Sequence, residues 1–235
     1  MISSSHDQAL RSLLQRLPQE EPLLHYRRYC ELRAHGQRPQ AFEQLNRFLA
    51  QFPTHPLDFR IWFVREVLEH AESIPDADDG PLPHPLKELA VKPTLRLWSE
   101  QAPDDPLPLY WLARFFQDRD ALRMALERNP SYQAALTLDI RWKLTRLDFS
   151  THHLPESYVG NMDTDLALIE FIEASLPRIQ DTAIRQDLQA DFHHFRTLVR
   201  NFHLWQTTGE GHFADWAMDH GYTAESATRT YPFDP

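Results

Sequence analysis

An all-α chain built as an array of antiparallel helical hairpins is what this sequence predicts, and three observations carry the prediction. Apolar residues recur at helical spacing along almost the whole chain, and no stretch alternates with period two. Only 6 of the 235 residues are glycine, against 18 prolines, which disfavours folds that need many tight hairpin turns. Five prolines (Pro18, Pro53, Pro103, Pro130 and Pro177) each follow an apolar pair placed eight and five positions earlier. Residues three apart return to nearly the same helix face, and the proline then stops the helix.

Taken in order, the periodicity places helices near 5–17, 21–35, 39–52, 57–73, 86–102, 107–117, 119–128, 131–148 and 163–176. A long helix follows over 181–205, where Ile184, Leu188, Phe192, Phe195, Val199 and Phe202 step by four and three to form one stripe. A last short helix is expected near 211–220. Proline and acidic clusters separate these segments, most plainly at residues 75–85. Phe149 to Asn161 reads as a second irregular segment, and 223–235 as an extended C-terminal tail. The expected organisation is one α-helical domain over 1–235, with a subdivision near residue 150 left open.

The five proline-ended pairs are Leu10 and Leu13, Leu45 and Phe48, Leu95 and Trp98, Leu122 and Ala125, and Ile169 and Ile172. Their prolines are 35, 50, 27 and 47 residues apart, so no strict repeat exists. Within this irregular series, residues 22–55 resemble one tetratricopeptide repeat. Gly36 falls in the turn between two helices, Ala41 stands where the family has a small residue, Leu45 follows on the same face, and Pro53 ends the second helix. Tyr29 and Phe48 depart from the pattern by replacing small residues. The stretch from Leu112-Ala113 through Ala125-Leu126 to Asn129-Pro130 is similar but shorter. The resemblance implies a tetratricopeptide-like array or irregular α-solenoid. It also implies that the first helix of the hairpin lines a concave binding surface, with Tyr26 and Arg33 facing it and Cys30 between them.

Charge narrows the choice of partner. The formal net charge is −10, and residues 131–235 carry 15 acidic against 8 basic side chains, −7 of the total. Such a mean field repels a phosphate backbone and suits a basic protein or peptide, so no nucleic-acid partner is expected. Of the 24 basic residues, 21 are arginine and only Lys87, Lys92 and Lys143 are lysine. Arginine and aromatic residues are enriched at protein interfaces. Arg65 lies three positions from Trp62, and Arg114 three from Trp111, so each pair can share a helix face. Arg65, Trp111 and Arg114 therefore join Tyr26 and Arg33 as expected partner-binding residues.

Several chemistries are disfavoured by the residues themselves. Cys30 is the only cysteine, so an intrachain disulfide and a cysteine-based zinc site are both excluded. The longest apolar run, Leu109 to Ala113, is far short of a bilayer span, and the amino terminus lacks a secretory pattern. A cytoplasmic protein with no membrane partner is expected. No cofactor, catalytic residue or metal ligand is predicted in the favoured reading, which is a non-catalytic protein–protein interaction module. An adaptor, or a bacterial antidote or immunity-like protein whose acidic half covers a basic effector, would be its specific form. The alternative is a metal-dependent hydrolase. Asp187, Asp191 and His194 sit at helical spacing, and His152, His153 and Glu156 occupy a proline-bounded loop. Neither Glu-x-x-His nor His-Glu-x-x-His occurs to support it.

Overall fold

The computed structural model describes residues 5–74 and 81–222. Their regular secondary structure is entirely helical, and among the described residues no strand occurs. The expected 223–235 tail and residues 75–80 of the acidic loop lie outside the described residues. The chain divides into two compact units, Met1–Arg128 and Asn129–Pro235. This division falls at the Asn129-Pro130 helix stop, ahead of the irregular segment near residue 150. No helix among the described residues is long and apolar enough to cross a membrane.

The first unit contains α1 (Ser5–Arg16), α2 (Leu24–Ala34), α3 (Arg38–Gln51), α4 (Leu57–Ser73), α5 (His84–Leu86), α6 (Lys92–Gln101), α7 (Leu107–Phe116) and α8 (Arg119–Arg128). A π turn at Lys87–Val91 joins α5 to α6 without a break. Helices α2 and α3 pack on each other across a turn in which Gly36 adopts φ +73, a conformation open to glycine at little cost. Tyr26, Phe48, Phe52 and Phe63 form the aromatic centre, with Tyr26 edge-on to Phe63 at 4.9 Å. Arg128 closes the far end of this unit. Its guanidinium donates to the carbonyls of Ser99, Ala102 and Asp105, satisfying acceptors that the end of α6 leaves open.

The second unit contains α9 (Gln133–Thr151), α10 (Met162–Ser175), α11 (Thr182–Thr208) and α12 (Phe213–Asp219). Helices α9, α10 and α11 pack on one another, and α12 covers α11. Two helix starts are capped as the sequence chemistry requires. Asn161 accepts from the Thr164 amide, and Asp181 accepts from the amides of Ala183 and Ile184. The stripe of α11 packs inward over Leu188, Phe192, Phe195, Val199 and Phe202, all buried, while Ile184 at its start is half-buried.

All ten apolar residues of the proline-ended pairs are buried, from Leu10 and Leu13 to Ile169 and Ile172. The prolines therefore mark where core-facing helices end. Two helices run three residues past their expected ends: α11 continues beyond 205 to Thr208, and α9 beyond 148 to Thr151. Ser150 and Thr151 donate their hydroxyls to the carbonyls of Arg146 and Leu147, and both are buried, so the last turn is held where the sequence reads as loop.

Candidate functional site

A groove of about 280 Å³ opens in the second unit between α9 and α11. Arg141, Leu144, Thr145 and Asp148 line it from α9, at spacings of three and four that place them along one helix face. Asp187, Leu188, Asp191 and Phe195 line it from α11 by the same geometry. Leu144, Leu188 and Phe195 are buried and form an apolar floor. Asp187 and Asp191 are exposed, Asp148 is half-buried, and Arg141 is exposed. Three carboxylates and one guanidinium thus leave the groove with a formal charge of −2. At this volume it falls just below the roughly 300–1,000 Å³ of small-molecule sites, so it suits a side chain better than a cofactor.

Of the residues grouped for a metal, only Asp187 and Asp191 reach this groove. His194, three residues beyond Asp191 on α11, is not among the lining residues, and its ring lies 5.2 Å from that of Phe195. Burial lowers its pKa, with Asp191 pulling in the opposite direction. The His152 ring lies 4.0 Å from that of His153, tilted by 38°, and turns Nδ1 to the Phe149 carbonyl. Glu156 is exposed. Among the described residues no three His, Cys, Asp or Glu side chains are grouped to hold a metal ion, so the candidates of the hydrolase reading do not form one centre.

The partner-binding residues expected from the sequence divide by burial. Tyr26 is fully buried, and its hydroxyl donates to the Pro81 carbonyl at 2.7 Å. Burial raises its pKa well above the usual phenol value. Trp111 is also buried, donating Nε1–H to Glu72 at 3.1 Å while Tyr110 donates to the other oxygen of the same carboxylate. These two corrections share one cause: an amphipathic aromatic buries its ring where its polar tip meets an acceptor. Neither offers surface to a partner. Arg33 is half-buried beside Tyr29. Arg65 is exposed with its guanidinium 5.0 Å from the Trp98 ring, and Arg114 is exposed over Phe115. Cys30 is buried, and burial pushes its thiol up to about 12, which removes it as a nucleophile at neutral pH.

The groove was only half visible in the sequence. Asp187 and Asp191 stood out by spacing, but Arg141 and Asp148 reach it from a separate helix. Comparison of the chain with protein-family models, with curated proteins and with solved structures gives no match.

Proposed function

We propose that the chain is a non-catalytic protein–protein interaction module, and that its second unit binds a basic partner through the groove between α9 and α11. The observation that carries this reading is the convergence of Asp148, Asp187 and Asp191, from two helices, around an apolar floor. An apolar floor rewards burial of a partner side chain, and the carboxylates select its charge. The −7 charge of residues 131–235 supports the same reading at longer range, since it steers a cationic partner toward this unit.

The finer fold reading belongs to this proposal. A tetratricopeptide-like antiparallel hairpin formed by α2 and α3 is supported by the Gly36 turn and by the burial of Ala41, Leu45 and Phe48 on α3. In that frame Arg33, Arg65 and Arg114 are secondary contact points on the first unit, while Tyr26 and Trp111 hold the scaffold. A pull-down from cell extract at low and high salt, run with the wild type and with D187N/D191N, tests the proposal. Capture should weaken with salt and with the double substitution. Retention that ignores both would end the electrostatic reading.

A further inference from the structure

We infer that α1 is a helix released by acid: uptake of a proton at His70 of α4 lets α1 leave the first unit while α2 and α3 stay folded. The release concerns the first unit and stands apart from the groove reading. An apolar stripe and several polar ties hold α1 in place. Ala9, Leu10 and Leu13 are buried along it, and Leu17, just past its end, is buried too. Arg27 of α2 donates to the carbonyls of Leu14, at 2.8 Å, and of Leu17, acceptors that the end of the helix leaves open. Arg16 pairs with Glu66 and Glu69 of α4 at 3.3 and 3.6 Å, in partly exposed positions where such pairs hold little. The tie to α4 that is buried is His70, 2% exposed, whose Nε2 lies 2.8 Å from the Ala9 carbonyl. A carbonyl only accepts, so Nε2 carries a proton and a further one must go to Nδ1.

The surroundings of His70 disfavour that second proton. Burial lowers its pKa, the Ala9 bond opposes this, and Arg16 adds to the lowering. The carboxylates of α4 are committed elsewhere, Glu66 and Glu69 to Arg16, and Glu72 to Tyr110 and Trp111. From α6, which also packs on α4, Lys92 is paired with Glu88, and neither Arg96 nor Glu100 acts on the ring. A charge excluded while α1 is docked is accepted once α1 leaves and water reaches the imidazole, so the released state binds the proton more tightly. Docking is therefore full above the ordinary histidine range near pH 6.5, and it weakens as pH falls through that range toward the lower docked value. Helix α1 packs on α2 and α4 and can part from both, whereas α2 is also paired with α3. Local opening of this kind costs less than unfolding the whole unit, so the proton frees α1 before α2 and α3.

Amide hydrogen exchange of the full ¹⁵N-labelled chain at pH 7.5 and 5.5 tests this, with each rate corrected for its intrinsic pH dependence. At pH 7.5 the amides of Leu13 and Leu14 on α1 should be less protected than those of Leu45 and Phe48 on α3. Their protection should fall several-fold at pH 5.5, and by no more than about 10-fold, the factor by which protons favour an exposed histidine of pKa near 6.5 over one held neutral. His70→Gln keeps an uncharged donor for the Ala9 carbonyl, so α1 should stay docked and lose the pH dependence. Equal protection of α1 and α3 at both pH values would overturn the inference, because α1 would then leave only with the whole unit. So would α1 protection that ignores pH in the wild type, or a fall that persists in His70→Gln. Should the variant fail to fold, the first two of these results, read on the wild type alone, still decide.

Discussion

Gly160→Ala should destabilise the second unit by about 2–4 kcal/mol, although the substitution adds a single methyl group. Gly160 lies against a fully buried polar cluster. A Cβ placed there would stand 2.2 Å from both Asp165 Oδ2 and Ser150 Oγ, and 2.5 Å from Ser150 Cβ. Asp165 and Ser150 are both 0% exposed, so neither can swing into solvent to make room. Asp165 Oδ2 accepts the Tyr158 hydroxyl at 2.7 Å, and the Tyr158 ring stacks on Phe202 of α11 at 5.1 Å. Overpacking at a rigid site costs about 1–3 kcal/mol, and opening a buried hydrogen bond to a carboxylate adds a comparable amount.

Gly36→Ala is the matched comparison. Nothing lies within 4 Å of its added Cβ, but its φ is +73, so the cost is the left-handed backbone alone, about 1–2 kcal/mol. Urea denaturation followed by tryptophan fluorescence and far-UV circular dichroism reads both variants. A Gly160→Ala loss below ~0.5 kcal/mol, or one no larger than that of Gly36→Ala, would refute the close packing at Asp165.

Two further predictions concern the first unit. His70 is buried and hydrogen-bonded through Nε2 to the Ala9 carbonyl at 2.8 Å, tying α4 to α1; burial lowers its pKa, with Arg16 acting the same way and the Ala9 bond opposing. The unfolded chain therefore takes up this proton first, so stability is full above the ordinary histidine range near pH 6.5 and falls as pH drops through it toward the lower folded value. His194 adds a loss of the same sign in the second unit. His70→Gln should flatten the first unit's part of that slope in denaturation series between pH 7.5 and 5, and an unchanged slope would contradict the assignment. Glu72→Ala removes the acceptor of both Tyr110 and Trp111 and leaves the indole N–H of a buried ring unpaired. A loss of about 1–3 kcal/mol is expected by urea denaturation.

The architecture was legible because helix ends and core faces are local properties. The pair spacing before Pro18, Pro53, Pro103, Pro130 and Pro177 named ten buried residues, and the stripe of α11 named its inward face. What a polar tip bonds to is not local. Tyr26 reads as a contact residue until Pro81, 55 positions away, supplies its acceptor. Trp111 reads the same way until Glu72, 39 positions away, takes its N–H. The groove shows the same limit: the i, i+4 spacing of Asp187 and Asp191 was in the sequence, but Asp148 and Arg141 join them only because α9 packs on α11. In the histidine-rich loop, the His152 ring lies against both His153 and Phe149, contacts that depend on how the end of α9 turns into the loop.

The most direct test of a basic partner in the groove is site-specific photo-crosslinking in cells. A benzophenone amino acid is placed at Thr145, inside the groove, and in a second experiment at exposed Arg123 on α8. The account predicts an adduct with a basic protein from position 145, little from position 123, and loss of the adduct when D187K/D191K is added. An adduct of equal yield at both positions, or one that persists with both carboxylates reversed to lysine, would contradict it.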